Sequence, residues 1–132
     1  MLARHTPSGL RPPFAAYAHA VTVPAGMRLM FVSGQLGTAA DGTVPEDAEA
    51  QANLCFAAVA AILADGGMGP ADVVRLNAYV TDRAHLAAYM RVRDRFMAGH
   101  LPASTLMIVA GFARPEFKVE VEAVAAARDP AP

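Results

Sequence analysis

Val119-Glu120-Val121-Glu122-Ala123-Val124-Ala125 is the stretch that decides the fold. Side chains alternate across a β-strand, so the valines and Ala123 are read on one face while Glu120 and Glu122 share the other. One face belongs to a core. The two acids then stand together on the opposite face, which either meets solvent or is covered by another subunit.

Working outward from this strand, periodicity divides the chain into seven pieces. Residues 16–23 and 27–33 read as two strands separated by Pro24-Ala25-Gly26, which predicts a β-hairpin. A polar loop through Asp41-Gly42 follows, and Pro45, suited to a first helical turn, opens a long segment. Within that segment Ala52, Cys55, Val59 and Ile62 recur at steps of three and four, a single helical stripe that Gly66-Gly67 ends. Residues 72–80 resemble a half-buried strand. Residues 83–98 resemble a second helix with Leu86, Met90, Phe96 and Met97 inward, and 104–110 and 117–126 read as strands.

The predicted order is β-β-α-β-α-β-β, an α+β fold. Right-handed crossovers put both helices on one face of a mixed sheet. The uncovered face carries apolar residues, hydroxyls and the two glutamates, a mixture suited to burial in a symmetric oligomer with polar clefts between subunits.

Composition narrows the function. At 132 residues the chain forms one domain, 1–132, with its core over about 10–126 and flexible ends at 1–9 and 127–132. Hydrophobic residues make up 55 %, yet no uninterrupted apolar run reaches the ~18–20 residues of a membrane span, so the surplus is assigned to a protein interface. A net charge of −1 lacks the basic footprint of phosphate binding, and nucleic acid is not an expected partner. Cys55 is the single cysteine; it excludes an internal disulfide and fits a reducing compartment. Arg4 and Arg11 precede the first acid, Asp41, but there is no apolar signal segment, so the cytoplasm is expected.

The order and spacing of several short motifs resemble one family. Ala16-Tyr17-Ala18-His19-Ala20-Val21, Phe31-Val32-Ser33-Gly34-Gln35, Glu49-Ala50-Gln51, Asp72-Val73-Val74, Tyr79-Val80-Thr81-Asp82, Pro102-Ala103 and Val119-Glu120-Val121-Glu122-Ala123 together resemble the RidA/YjgF family of reactive-intermediate deaminases, also labelled endoribonuclease L-PSP. The resemblance runs from about residue 10 to about residue 126. It implies a chorismate-mutase-like fold, a homotrimer with small-molecule clefts between subunits, and neither metal nor organic cofactor. Active members hydrolyse enamines or imines to a keto acid and ammonia. By motif position Tyr17, Ser33 and Gly34 carry over as ligand-binding residues and Glu120 as the residue that positions or activates water. The acidic pI of about 6.4 lends the ribonuclease label no support.

Two features depart from the family pattern. Active members place an arginine after Pro-Ala to grip the substrate carboxylate, whereas this chain reads Pro102-Ala103-Ser104-Thr105. One neutral hydroxyl replaces a planar two-pronged donor. Losing one member of a desolvated charge pair costs about 2–5 kcal/mol, or tens to thousands of fold in affinity. In addition, Met90 and His19 stand where the family has asparagine and glutamine. Ser104, Arg114 and His19 are therefore the candidate ligand contacts of a rebuilt cleft, with a solvated loop arginine as the plainer reading of Arg114.

Other side chains have plainer roles. His5, His19, His85 and His100 show no paired metal-ligand spacing. Arg91 and Arg95 flank Asp94 on a solvated helix face, Cys55 reads as a small core residue, and Glu122 as a structural acid. Three functions stay open: a metabolite-binding trimer, an enamine or imine deaminase that has replaced its arginine, and a protein-interaction or chaperone-like trimer.

Overall fold

The computed structural model describes residues 1–130. Its strands are β1 (Ala3–His5), β2 (Ala20–Thr22), β3 (Arg28–Leu36), β4 (Val73–Val80), β5 (Ala103–Ile108) and β6 (Val119–Ala127). Its helices are α1 (Ala48–Asp65) and α2 (Leu86–Met97), with 3₁₀ turns at Pro70–Asp72 and Arg83–His85. The main sheet has the order β3-β6-β4-β5; β6 is antiparallel to both neighbours, while β4 and β5 run parallel.

The alternation in β6 places Val119, Val121, Ala123 and Ala125 on a face at most 3 % exposed. Their register partners Leu76, Ala78 and Val80 of β4 point the same way, under Ala52, Cys55, Phe56, Val59 and Leu63 of α1 and Tyr89, Val92 and Met97 of α2. Each large aliphatic side chain buried there contributes about 1.5–3 kcal/mol. Both helices lie on this face, so the mixed α+β arrangement agrees with the sequence.

α1 reaches a mean hydropathy of 1.2 over 18 residues, enough by length and composition for a membrane span. Its apolar stripe nevertheless packs on the sheet. Asp47 caps the helix by accepting from the Ala50 N–H at 3.1 Å, so α1 begins three residues after Pro45 rather than at it. Gly66 closes it, and Gly67 takes the left-handed conformation at φ +73°.

The predicted hairpin is not formed. β2 pairs with β1, a strand inside the N-terminal stretch expected to be flexible, while β3 pairs with β6. Ala18 bridges Ala103 of β5 and donates its N–H to Pro102 O at 2.9 Å. The chain from Ala18 to Arg28 thus passes from the β5 edge of the sheet to the β3 edge. β6 offers β3 a nine-residue partner, against three residues in β2. The expected flexible C-terminal stretch begins with Ala127, the last residue of β6; residues 131–132 of it lie outside the described residues.

Candidate functional site

Among the described residues, no helix packs on the face of the sheet opposite α1 and α2. Register orders its side chains into three rows. In the first, Ala103, Arg75, Val124 and Phe31 lie side by side; in the second, Thr105, Asn77 and Glu122; in the third, Met107, Tyr79, Glu120 and Leu36. Between Val32 and Gln35 the β3–β6 register shifts, a bulge that occupies the β3 position beside Glu122 and brings in Ser33 and Gly34.

The two acids are held differently. Glu122 Oε1 accepts from Tyr79 Oη at 2.8 Å and from Asn77 Nδ2 at 3.0 Å. That bond, followed by partial desolvation and the charges of Glu122 and Glu120, pushes the Tyr79 phenol above its ordinary pKa. Glu120 accepts no hydrogen bond from another side chain among the described residues. Its carboxylate instead lies against Gly34, where a Cβ would come within 2.7 Å of Glu120 Cδ. The glycine provides the room that the acid occupies.

Two hollows open on this face. One, of about 330 Å³, is lined by Phe31, Ser33, Asn77, Glu122 and Val124. The other, of about 350 Å³, is lined by His19, Val21, Arg75, Ala103 and Val124. Val124 borders both. The rim is apolar: Phe31 is 75 % exposed and Met107 53 %.

The residues expected from sequence fall into separate groups. Gly34, in the bulge, lies against the Glu120 carboxylate, and Ser33 borders the first hollow. Tyr17 and His19 pack edge to face with ring centroids 6.2 Å apart, and His19 reaches the second hollow. His19 Nε2 also lies 3.0 Å from Arg11 O. Ser104 is the register partner of Leu76, a core residue, so strand alternation turns it toward the helix layer while Ala103 and Thr105 face the open side. Within one chain, therefore, Ser104 and Glu120 are on opposite faces. Arg114 pairs with Glu116 and lies over the Phe117 ring at 5.2 Å, and it borders neither hollow.

Sequence reasoning missed Arg75, Asn77 and Tyr79 as members of the open face. Their signal was the same period of two that singled out the acids, read on β4 as Arg-x-Asn-x-Tyr. Arg93, 2 % exposed and bonded through Nε and Nη2 to Asp94, was missed as a buried charge. Arg91 and Arg95 are exposed, as the solvated-face reading expects, and they bond to Glu49 and Asn53 of α1. Cys55 is buried; desolvation, then the charge of Glu120, push its thiol up to about 12. No three His, Cys, Asp or Glu side chains converge in a metal-binding group among the described residues.

Comparison with known proteins agrees with this architecture. The family model described as Endoribonuclease L-PSP matches residues 9–127. The chain is similar to protein DfrA of Myxococcus xanthus, 35 % identical with 83 % of each chain covered. It is also similar to the putative reactive intermediate deaminase TdcF of Escherichia coli, 29 % identical over 74 % of this chain and 78 % of the relative. Among solved structures, YyfB of Yersinia pestis, of the conserved Rid protein family, superposes with a TM-score of 0.85 at 31 % identity, covering 96 % of this chain and 98 % of that one. Escherichia coli TdcF with bound serine superposes with a TM-score of 0.71 at 27 % identity, covering 87 % and 91 %. With the family model spanning the sheet, both helices and the open face, the chain belongs to the RidA/YjgF, or endoribonuclease L-PSP, family.

Proposed function

We propose that the chain is a single Rid-type domain that assembles as a cytoplasmic homotrimer and binds a small polar metabolite in clefts between subunits. The observation that carries this reading is the open face, where polar rows sit inside a rim of exposed Phe31 and Met107. Covering that rim with another copy removes apolar surface from water and leaves the polar residues to line a cleft. The serine bound to TdcF supports a ligand of amino-acid size.

A second reading, hydrolysis of an enamine or imine, is favoured by the contrast between the two acids. Glu122 is committed to Tyr79 and Asn77, whereas the Glu120 carboxylate beside Gly34 retains its acceptor capacity for a water molecule. Such a water would add its oxygen to the C=N carbon, and nitrogen would leave as ammonia. Against efficient turnover of imino acids stands Ser104, which offers no charge where the family uses arginine.

The test generates 2-iminobutanoate in situ and follows its disappearance with wild-type protein and with Glu120→Ala. Binding without catalysis predicts that neither protein changes the rate. Acceleration by wild type, lost in the variant, would establish the deaminase reading instead. Thermal-shift titration with serine measures the cleft in either case, and no shift with any amino-acid-sized ligand would overturn the binding proposal.

A further inference from the structure

The three rows of the open face contain one cation, Arg75. It is half-buried and belongs to no ion pair among the described residues. Its Nη2 donates to Thr105 Oγ1 at 2.8 Å. A guanidinium has five N–H donors, so Thr105 steadies one arm and leaves the others uncommitted. A partly desolvated charge without a counterion is a site that gains from an anion.

The surroundings restrict which anion fits. Arg75 borders the hollow of about 350 Å³, with His19, Ala20, Val21, Val74, Ala103 and Val124 as the other walls. One guanidinium among mostly aliphatic walls suits a single carboxylate on a short apolar body; a phosphate, at about −1.5 to −2, would leave up to about half of its charge uncompensated. The imidazole of His19 supplies a second polar group on the same hollow. We propose that Arg75, assisted by His19, is the carboxylate anchor of this chain's cleft, on a different strand from Ser104, where the family arginine is absent. The inference rests on reading the open face as a ligand cleft.

The experiment is calorimetric titration of the wild-type protein with 2-oxobutanoate at low ionic strength, with 2-butanone as the uncharged control. The same titrations are made on Arg75→Gln, Arg75→Lys and Ala103→Asp. Wild type is expected to bind 2-oxobutanoate and not 2-butanone. Arg75→Gln should weaken binding by about tenfold or more, with Arg75→Lys intermediate. Ala103→Asp, which sets a carboxylate in register beside Arg75, should abolish binding without removing the arginine.

If Arg75→Gln and Ala103→Asp bind as wild type does, the anchor assignment is overturned while the cleft reading stands. If wild type binds serine but not 2-oxobutanoate, the anchor again fails alone; if it binds neither, both fail. An altered oligomeric mass in Arg75→Gln with unchanged affinity would make Arg75 a contact for the neighbouring subunit's carboxylate and overturn the anchor. Should Arg75→Gln not fold, Ala103→Asp carries the test by itself.

Discussion

Glu120 and Glu122 differ in freedom because their neighbours differ, and glycine substitution separates the two consequences. At Gly34 an added methyl would meet the far end of the Glu120 side chain, which can swing aside. Gly34→Ala is therefore expected to cost under about 1 kcal/mol in stability while displacing the carboxylate, seen as a small change in denaturation midpoint and a larger loss of serine-induced thermal shift. At Gly37 the same methyl would lie 2.7 Å from the Cα of Gln51, in the backbone of α1. Gly37→Ala is expected to cost about 1–3 kcal/mol or more, because the helix itself must move. Equal midpoints for the two variants would contradict this contrast. Tyr79→Phe should loosen Glu122 by one hydrogen bond, a loss of about 1 kcal/mol measurable by urea denaturation.

Among the elements, β6 was legible in the opposed faces of its valines and acids, since strict alternation leaves little choice of register, although it runs over Val119–Ala127 rather than 117–126 and Val124 falls on the open face. α1 was legible as a stripe but not in its polar member. Gln51, fully buried, donates Nε2 to Pro45 O at 2.8 Å and Glu116 O at 2.9 Å, and its Oε1 accepts from the Lys118 N–H at 2.8 Å. It ties the loop before α1 to the entry of β6. These contacts are long-range, so a single stretch of sequence gave no sign of them. Gln51→Leu strands three backbone groups and should lower stability by about 2–4 kcal/mol in chemical denaturation. The hairpin was misread for a related reason: a turn signal between two β-like runs marks a change of direction but not the partner. Cys55 adds a pH dependence. Its folded-state pKa of about 12 lies above the ordinary 9.0, so the native state keeps a proton that the unfolded chain loses. Stability should fall as pH rises from 9 toward 12, by up to about 1.4 kcal/mol per pH unit, and Cys55→Ala should flatten that slope. An unchanged slope between pH 9 and 10.5 would show that the thiol is not the source.

For the whole molecule, the open face and its apolar rim make assembly the property most exposed to mutation. Phe31→Asp places a charge on a side chain that is 75 % exposed in the single chain. The variant is expected to run as a folded monomer in light scattering, and wild type is expected at three times the 13.8 kDa chain mass. A wild-type monomer would remove the basis for clefts between subunits. That β6 presents a mixed polar and apolar face away from the helices was readable from its alternation; which residues share a hollow was not, because it depends on rows built from four distant strands, and Ser104 and Glu120 came out on opposite sides. The strand order carries one more implication, for synthesis. β6 lies between β3 and β4 and is the last of the strands to leave the ribosome. Until residues 119–127 emerge, β3 has no partner in the sheet and α1 lacks the part of its floor that Val119 and Val121 supply. The nascent chain must then wait, with its helices exposed, for a closing step that inserts the middle of the sheet last.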